Sequence, residues 1–368
     1  MKIGILGGGQ LGRMLALAGY PLGLRFRVFD PQPDAAAAGH VAELVTGRYE
    51  DRAALERFAA GLDVITYEFE NVPAATLEYL AARVPVYPPP RALACSQDRL
   101  SEKTTFRKLD IPTAEFAPVD SLADLTSALH QVGLPAILKT RHGGYDGLGQ
   151  ASINSAADAE TAYAALAGRP LVVESRVPFD REISVLAARS RSGETVVYPL
   201  VENWHERGVL IRSVAPAPNT TEDLRGRATR KIERLLHAFD YVGLLTLEMF
   251  EVRGDLWANE LATRVHNSGH WSIDAGGTSQ FENHLRAIVG WPLGDPRPRG
   301  TAAMLNLIGG LPPVTALLAM RGVRVHLYGK QPRPGRKLGH VTVCGVDEEV
   351  AAGLRVIEPL VAAARVLR

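Results

Sequence analysis

Apolar positions recur along the chain with two different periods. The run at residues 2–6 stops at three glycines, residues 11–19 carry apolar side chains at helical spacing, and residues 25–29 form a second run. Further short runs at 63–69, 134–139, 171–175, 243–250 and 256–259 predict strands, the last two joined as a hairpin. The pattern therefore predicts an α/β protein that begins with a βαβ unit.

Two breaks divide this pattern. Residues 84–90 are rich in proline and residues 290–300 in proline and glycine, so both are predicted linkers. Between them, residues 97–109 predict a charged amphipathic helix. After them, residues 304–308, 323–328 and 339–343 predict the strands of a small terminal module, which a helix at 350–367 closes. A chain of 368 residues is long enough for two or three domains.

Composition argues against several classes of protein. A net charge of +1 indicates neither a nucleic-acid surface nor an acidic-membrane surface. Cys95 and Cys344 form no metal spacing and no disulfide framework, which indicates a reducing compartment. The apolar runs are too short for a membrane span or a signal peptide. We therefore expect a cytoplasmic protein that binds neither nucleic acid nor membrane.

The turn after the first predicted strand carries a glycine pattern that has two interpretations. Gly7, Gly9 and Gly12 form GxGxxG between a strand and a helix, and Asp30 follows the second strand. This matches the dinucleotide-binding fingerprint, in which the acid reads a ribose. The alternative is a βαβ unit whose helix N-terminus binds another phosphate, or nothing.

Two pairs of acids stand at predicted strand ends. Glu68 and Glu70 would face the same side of one strand, at the sheet edge where α/β proteins bind ligands. Glu248 and Glu260 would oppose each other across the hairpin, where paired carboxylates suit Mg²⁺ beside nucleotide phosphates. The alternative for both pairs is a set of exposed acids.

Two segments have the composition of phosphate-binding sites. Lys139 ends a predicted strand and precedes RHGGYDGLGQ, whose glycines free the backbone to fold over an anion. A plain hairpin turn is the alternative, and the P-loop pattern is absent from this segment. A second predicted turn could hold a phosphate monoester or be simply solvated; its basic residues are Lys330, Arg333, Arg336 and Lys337.

Other polar residues follow the central strands. Glu174 could orient an adenine edge and Glu182 a ribose hydroxyl, or both could be surface carboxylates. His205 is either a structural histidine or a ligand contact. Residues 259–271 (NELATRVHNSGHW) concentrate polar groups that a buried core would have to pair. We predict there a polar loop that leaves a sheet and carries chemistry, with a solvated loop as the alternative.

Taken together, these motifs resemble one family over nearly the whole chain. The matching segments are GILGGGQLGRML, EFENV, GGYDGLGQ, REISV, NELATRVHNSGHW with SQFENHLRA, MLNLIG and PGRKLGH. The specific feature is RVHNSGHW together with GGYDGLGQ in one chain. The chain resembles the N5-carboxyaminoimidazole ribonucleotide synthetases, which are ATP-grasp enzymes of bacterial and fungal purine biosynthesis.

The resemblance implies a fold and a reaction. The α/β ATP-grasp fold would comprise a Rossmann-like (pre-ATP-grasp) lobe at 1–95, an ATP-grasp module at 96–293 with a lid subdomain at about 112–180, and a small β-rich lobe at 294–368. With ATP and Mg²⁺ as cofactors, bicarbonate would become carboxyphosphate. This intermediate, or CO₂ from it, would carboxylate the exocyclic amine of 5-aminoimidazole ribonucleotide. The family also implies a homodimer and allows a hand-off of product to the N5-carboxyaminoimidazole ribonucleotide mutase.

The resemblance also assigns residues to roles by motif position. The ATP contacts would be Arg99, Lys139, Gly144, Tyr145, Asp146, Gly147, Leu148, Gly149, Gln150, Glu174, Ser175, Arg176, Val177, Glu182, His205, Asn259 and Glu260. The metal carboxylates would be Glu248 and Glu260. The catalytic residues would be Arg264, His266 and Asn267 at the bicarbonate and carboxyphosphate site, together with Asp146. The nucleotide substrate would contact Gln10, Glu68, Asp146, Lys330, Arg336 and Lys337.

One position departs from the family, and three other functions compete. Thr263 replaces a proline that would shape the loop before Arg264, so the aim of Arg264 is left open. Another ATP-grasp ligase, such as the formate-using purine formyltransferase or a biotin carboxylase, should lack RVHNSGHW in this form. A nicotinamide-dependent oxidoreductase rests only on GxGxxG and Asp30. A non-catalytic nucleotide-binding regulator would not need Glu248 paired with Glu260.

Overall fold

The N-terminal part is a parallel sheet with helices. The computed structural model describes residues 1–144 and 148–367. The first sheet has the order β3-β2-β1-β4, with every pair parallel. Its strands are β1 (Lys2–Leu6), β2 (Arg25–Asp30), β3 (Glu43–Thr46) and β4 (Val64–Tyr67), and the helices are α1 (Gln10–Gly19), α2 (Arg52–Ala59), α3 (Ala74–Ala81), α4 (Pro90–Ser96) and α5 (Arg99–Lys108). The predicted βαβ unit is confirmed.

The next segment forms a small antiparallel sheet of its own. Its strand order is β5-β8-β6-β7. The elements are β5 (Phe116–Val119), α6 (Leu122–Val132), β6 (Ala136–Thr140), β7 (Gln150–Ile153), α7 (Ala159–Leu166) and β8 (Leu171–Ser175). The glycine-rich segment joins β6 to β7, so Lys139 and Gln150 are register partners at its base.

Within the described residues, the remaining strands form one nine-stranded sheet. Its main path is β14-β13-β9-β11-β12-β15-β17-β16, and β10 pairs with β9. The strands are β9 (Arg181–Arg189), β10 (Thr195–Val197), β11 (Val201–Glu206), β12 (Val209–Ala215), β13 (Gly243–Val252), β14 (Asp255–Ala262), β15 (Thr301–Ile308), β16 (Val323–Leu327) and β17 (Lys337–Gly345). The helices are α8 (Glu222–Ala238), α9 (Gln280–Val289), α10 (Val314–Leu318) and α11 (Asp347–Ala364).

The strands of the terminal module continue the central sheet. β15 pairs antiparallel with β12, so that Arg212 lies opposite Leu305 and Ala215 opposite Ala302. The basic turn between β16 and β17 is therefore carried by the same sheet as the acids on β13 and β14. The residue boundaries of the three parts stay a prediction.

Three predicted elements end elsewhere than expected. β4 stops at Tyr67, so Glu68 and Glu70 lie in the loop after it and not together on one strand face. The helix expected at 97–109 begins only at Arg99, because the Asp98 side chain caps α5 by accepting from the N–H of Leu100 at 3.0 Å. The polar stretch 259–271 is not one loop, since β14 runs to Ala262 and a 3₁₀ helix covers Asn267–Ile273.

Buried contacts fix the first sheet against the large one. Leu15 of α1 and Leu285 of α9 are fully buried in one shared core. Each such side chain contributes about 1.5–3 kcal/mol. His284 accepts from the N–H of Leu244 at 3.1 Å through Nδ1, so its Nε2 donates to the Thr66 hydroxyl at 2.8 Å. These contacts fix the position of the first sheet relative to the large sheet, and with it the position of the turn before α1 relative to the segment after β14.

None of the helices in the described ranges combines the length and the apolar character needed to cross a membrane.

Candidate active site

A carboxylate on β8 of the small sheet is buried between two lysines, one on β6 and one on α5. Glu174 Oε2 is 3.0 Å from Lys139 Nζ and 3.1 Å from the Nζ of Lys103. Burial would raise the pKa of Glu174, but the two ammonium groups lower it to about 2. Glu174 Oε1 is buried and finds no partner in the described parts of the chain. This oxygen is therefore an acceptor available to a ligand, consistent with the predicted adenine contact.

Lys103 is a site residue that sequence reasoning missed. It is 2% exposed, and its Nζ also lies 3.3 Å from Thr113 Oγ1 and 3.4 Å from the carbonyl oxygen of Asn259. Lys103 follows Arg99 by four residues on α5, so both project from one helix face. That spacing was the available signal.

Arg99 holds the base of the glycine-rich segment. Its guanidinium donates to the carbonyl oxygen of Thr140 at 3.1 Å and to that of Gly144 at 3.0 Å. Gly149 has φ +73°, and a Cβ there would lie 2.7 Å from Thr140 Oγ1, so glycine is required. Leu148 is exposed and Gln150 begins β7 opposite Lys139, whereas the predicted contacts Tyr145, Asp146 and Gly147 lie outside the described residues.

The segment after β8 is fixed through its backbone. The N–H of Ser175 donates to the carbonyl oxygen of Glu115 at 2.8 Å, and the N–H of Arg176 to that of Pro135 at 2.9 Å. Val177 follows directly, leading towards β9. The predicted contacts Ser175 to Val177 thus link the small sheet to the large one beside Glu174.

Glu182 and His205 form an ion pair on the face of the large sheet. His205 Nδ1 contacts Glu182 Oε2 across β11 and β9. Burial lowers the pKa of His205, but Glu182 and then Glu248 outweigh burial and raise it. Glu182 is therefore a paired, half-buried group and not the surface carboxylate of the alternative, whereas for His205 both the structural role and the ligand contact stay predictions.

Glu248 and Glu260 oppose each other as register partners on β13 and β14. Burial, reinforced by the Glu260 charge, raises the pKa of Glu248 to about 8. A third acid, Glu102, accepts from the N–H of Leu261 at 2.6 Å, and burial together with Glu260 raises its pKa well above the usual range. So many carboxylates in one place favour a cation, and the donor set fits Mg²⁺. Asn259 precedes Glu260 on the same strand.

Arg264 points towards the loop after β4. Its Nη2 lies 2.9 Å from Glu70 Oε2, and its Nη1 donates to the carbonyl oxygen of Val265 at 3.0 Å. Gln97 fixes the Glu70 backbone by donating to its carbonyl oxygen at 2.7 Å. Thr263, which replaces the usual proline, is fully buried, with Oγ1 3.4 Å from Ser96 Oγ. Glu70 therefore sets the aim of Arg264, although sequence reasoning gave it no separate role.

His266 is held through its backbone and its ring. The fully buried Gln280 accepts from the His266 N–H at 2.8 Å and donates to its carbonyl oxygen at 2.6 Å. His266 Nε2 lies 3.1 Å from Glu248 Oε1. The side-chain oxygen and nitrogen of Asn267 are buried and lack partners among the described residues. His266 thus contacts the acidic pair through Glu248, and the Glu260 charge acts on Arg264. The role of Arg264, His266 and Asn267 at a bicarbonate site stays a prediction, and Gln280 is a further residue that was missed.

The start of α1 is occupied by acids of the chain itself. Asp30 Oδ2 accepts from the N–H of Gly8 at 2.7 Å. The Glu68 carboxylate accepts at 2.9, 3.1 and 3.1 Å from the N–H groups of Gly9, Leu11 and Gly12. A pyrophosphate would have to displace a buried carboxylate from the helix N-terminus. The geometry therefore disfavours a dinucleotide here.

We accordingly expect no saturable binding of NADH or NADPH in the micromolar range. Fluorescence titration of the purified chain is the measurement, with ATP as the positive control for an intact nucleotide site. Saturation by NADH at micromolar concentration would contradict the assignment of Glu68 and Asp30.

The basic turn reaches the same region from the other side. Lys330 Nζ donates to Gln10 Oε1, and burial, assisted by Arg336 and Lys337 and opposed by Glu68, lowers the pKa of Lys330 to about 8. Arg336 donates to the carbonyl oxygen of Gln331 at 3.2 Å. Lys337 lies close enough to lower the pKa of both Glu248 and His266. The predicted nucleotide site and the acidic pair are therefore neighbours.

A second group of potential metal ligands does not have metal-site geometry. Asp274, His326 and His340 offer ligand atoms within 4.8 Å of one another. The two imidazole rings are stacked, with centroids 4.4 Å apart and planes 12° from parallel. Nitrogen lone pairs lie in the ring planes, so stacked rings do not direct them at one ion. The 2.9 Å contact between His326 and Asp274 accounts for the group.

The comparisons with known proteins agree with this geometry. The ribonucleotide synthetase preATP-grasp domain matches residues 1–97, the ATP-grasp domain matches 104–281, and the phosphoribosylaminoimidazole carboxylase C-terminal domain matches 302–353. N5-carboxyaminoimidazole ribonucleotide synthase of Pseudomonas aeruginosa is 48% identical over 364 residues, covering 99% of this chain and 100% of the relative.

Solved structures show the same relationship. N5-carboxyaminoimidazole ribonucleotide synthetase of Thermus thermophilus is 54% identical, with a TM-score of 0.94 over 97% of this chain and 98% of the other. The Aspergillus clavatus enzyme, solved with ADP and 5-aminoimidazole ribonucleotide, is 33% identical, with a TM-score of 0.92 over 98% of each chain.

Fold and site together define an ATP-grasp enzyme, an ATP-dependent ligase. The glycine pattern at the N-terminus, which had left an oxidoreductase open, belongs to the preATP-grasp domain. Within that class, the chain belongs to the N5-carboxyaminoimidazole ribonucleotide synthase family.

Proposed function

We propose that the chain carboxylates the exocyclic amine of 5-aminoimidazole ribonucleotide, using ATP and bicarbonate, and releases ADP and phosphate. The observation that carries the proposal is the meeting of three groups at one place: the acids on β13 and β14, the segment of Arg264 and His266, and the basic turn. Lys337, whose charge acts on Glu248 and His266, joins the groups electrostatically. The complexes of relatives with ADP and 5-aminoimidazole ribonucleotide support this choice of substrates.

The ATP side is built from the small sheet and the face of the large one. Lys139 supplies a point charge for phosphates, and Arg99 holds the segment that covers them. Glu174 offers its unpaired oxygen to the adenine edge, and Glu182 reads the ribose. Phosphoryl transfer depends mainly on such positioning and on neutralised charge.

Glu248 and Glu260 hold Mg²⁺. When bound there, the ion supplies charge neutralisation for the phosphates. The chain contributes two opposed carboxylates, of which Glu248 is kept in place by His266 at 3.1 Å.

Arg264, His266 and Asn267 bind bicarbonate and then carboxyphosphate. Among the described residues the Asn267 amide has no partner and is available to a ligand, and Arg264 places a half-buried positive charge where the new anion forms. Carboxyphosphate hydrolyses readily, so the site must exclude water. The small sheet over the ATP side serves as the lid.

The nucleotide substrate lies between the start of α1 and the basic turn. Lys330, Arg336 and Lys337 hold its phosphate through charge-assisted contacts. Gln10, which Lys330 contacts, faces the ribose phosphate. Both Glu68 oxygens are taken by the α1 backbone, so Glu68 acts on the substrate through the shape of this turn and through Lys330.

The proposal extends to the setting of the enzyme. By family resemblance, the chain works as a cytoplasmic homodimer and passes its product to the N5-carboxyaminoimidazole ribonucleotide mutase.

The direct test is ADP release by the purified chain. With ATP, Mg²⁺ and bicarbonate, addition of 5-aminoimidazole ribonucleotide is expected to raise the rate at least about tenfold, because the amine draws carboxyphosphate forward. Formate in place of bicarbonate is the control against a formyltransferase and should give no such increase. A rate of ADP release that does not change when 5-aminoimidazole ribonucleotide is added would contradict the proposal.

A further inference from the structure

A line of buried hydrogen bonds leads from the middle of the large sheet to the imidazole of His266. The side chains of Ser213, Asn203, Ser184 and Ser268 are 0%, 5%, 0% and 0% exposed. Successive heavy-atom distances are 2.7 Å from Ser213 to Asn203, 2.7 Å to Ser184, 2.9 Å to Ser268, and 2.9 Å from Ser268 Oγ to His266 Nδ1. We call these four residues the polar relay.

Strand register brings the polar relay together. Asn203 on β11 lies opposite Ser213 on β12, and Ser184 on β9 lies opposite Glu248 on β13. Ser268 reaches this face from the 3₁₀ helix after β14. A buried hydroxyl or amide is costly unless it is paired, and here each member finds a partner in the next.

The donor and acceptor of each hydrogen bond in the polar relay can be assigned in turn, starting from His266. The N–H of Ser268 donates to His266 Nδ1 at 3.3 Å, so that nitrogen carries a lone pair and no hydrogen. The Ser268 hydroxyl, 2.9 Å from the same nitrogen, must then be its donor. Since that hydroxyl has a single hydrogen, the contact between Ser184 and Ser268 requires Ser184 to donate.

The same reasoning fixes the far end of the polar relay. Ser184 has used its hydrogen, so the Asn203 amide nitrogen donates to it. The Asn203 carbonyl oxygen then faces Ser213, which donates. Each hydrogen points towards His266, and the amide of Asn203 has only one consistent orientation.

We propose that the polar relay fixes His266 as the tautomer with hydrogen on Nε2, and that His266 is therefore a hydrogen-bond donor, not the proton acceptor of the reaction. His266 Nε2 lies 3.1 Å from Glu248 Oε1, so its N–H holds this carboxylate in place. Towards bicarbonate or carboxyphosphate, the same N–H binds an anionic oxygen. Ser268, Ser184, Asn203 and Ser213 are positioning residues, because they act only through His266.

This inference rests on the proposed function only where it concerns the reaction; the tautomer itself can be observed in the resting protein. The first test is a long-range ¹H–¹⁵N spectrum of the full chain with ¹⁵N-labelled histidine, in which His266→Gln assigns the signal. We expect a protonated Nε2 and an unprotonated Nδ1. A protonated Nδ1, alone or with a protonated Nε2, overturns the proposal whatever the enzyme turns over.

A pair of variants tests the positioning role. Ser268→Ala removes the 2.9 Å hydroxyl donor to Nδ1 and leaves only the longer 3.3 Å contact from the backbone N–H, so a fraction of the second tautomer should appear in the spectrum. Turnover should fall about tenfold with little change in KM for ATP, as expected for one lost hydrogen bond. Ser190→Ala is the matched control: it removes a buried hydroxyl directly after β9, one that contacts Ser192 Oγ at 2.8 Å and is outside the polar relay.

The outcomes separate the polar relay from general destabilisation. An unchanged spectrum and unchanged turnover for Ser268→Ala show that the hydroxyl does not position His266. A tautomer shift of equal size in Ser190→Ala also contradicts the proposal. If Ser268→Ala does not fold, the wild-type spectrum alone decides. A wild-type spectrum as expected, in a chain that does not use 5-aminoimidazole ribonucleotide, keeps the inference on the tautomer and removes the proposed function.

Discussion

Glu248→Gln and Glu260→Gln are each expected to abolish turnover, a loss of more than about 10³-fold, while the fold stays intact. Each substitution removes one anionic oxygen from a hard-cation site and weakens neutralisation of the transferred phosphate. Burial and Glu260 raise the Glu248 pKa to about 8, so near neutral pH Glu248 must take up a proton on folding. That uptake costs stability, and glutamine should therefore not lower the melting temperature.

The matched control is Glu251→Gln on the same strand. Glu251 pairs with Arg181 at 2.6 Å, away from the opposed acids, so turnover should be retained. Metal binding is followed separately by titration of Mn²⁺ in the presence of ATP, which both active-site variants should weaken. Near-wild-type ADP production by both variants would rule out the metal assignment.

Arg264→Ala should lower turnover at saturating substrates by about 10²–10³-fold, because the proposed mechanism places its charge where the carboxyphosphate anion develops. The substitution also leaves the half-buried Glu70 carboxylate without its 2.9 Å partner, which costs stability. The double variant Arg264→Ala/Glu70→Gln removes that unpaired charge. It should regain melting temperature without regaining turnover.

Replacement of both Arg336 and Lys337 by alanine should have the opposite signature. Each contact to the substrate phosphate is worth roughly 1.5–3 kcal/mol, so KM for 5-aminoimidazole ribonucleotide should rise at least about a hundredfold. The loss should appear mainly in this KM, because contacts to a non-reacting phosphate contribute mostly uniform binding. KM for ATP should change little, because ATP binds at a separate site. Since Lys337 also acts on Glu248 and His266, its single variant should lose some turnover, whereas Arg336→Ala should not.

The two sets of constants distinguish the roles. A raised KM for ATP with an unchanged KM for the ribonucleotide in the Arg336/Lys337 variant would show that the basic turn serves ATP. A turnover loss in that variant as large as in Arg264→Ala would show that the basic turn and Arg264 act at the same site, which would contradict the proposal.

Local pattern predicted most of the elements and the register of the acids. The hairpin that opposes Glu248 and Glu260 follows from two apolar runs and a turn, and the structure has them as register partners. The glycines around β1 likewise predicted the strand, turn and helix. What GxGxxG could not predict is the group bound at the helix N-terminus, because Glu68 reaches it from the loop after β4, far along the chain.

Contacts between residues that are far apart in the sequence could not be predicted from the sequence alone. Glu70 and Arg264 are 194 residues apart, and only the packing of the first sheet on the large one brings them together. The members of the polar relay are ordinary serines and an asparagine. Their contact depends on which strands are neighbours and on where the 3₁₀ helix after β14 packs. Lys103 and Gln280 were missed for the same reason, although the spacing of Lys103 from Arg99 on α5 was visible.

The most direct test of the central claim follows oxygen from ¹⁸O-labelled bicarbonate in the complete reaction with ATP, Mg²⁺ and 5-aminoimidazole ribonucleotide. If bicarbonate oxygen attacks the γ-phosphorus and ADP leaves, that oxygen bridges phosphorus and carbon in carboxyphosphate. It stays with phosphate when the carbon–oxygen bond breaks, whether the amine attacks carbon directly or CO₂ leaves first. The account predicts one bicarbonate oxygen in each phosphate released. Phosphate without label, formed at the same rate as the carboxylated nucleotide, would contradict it.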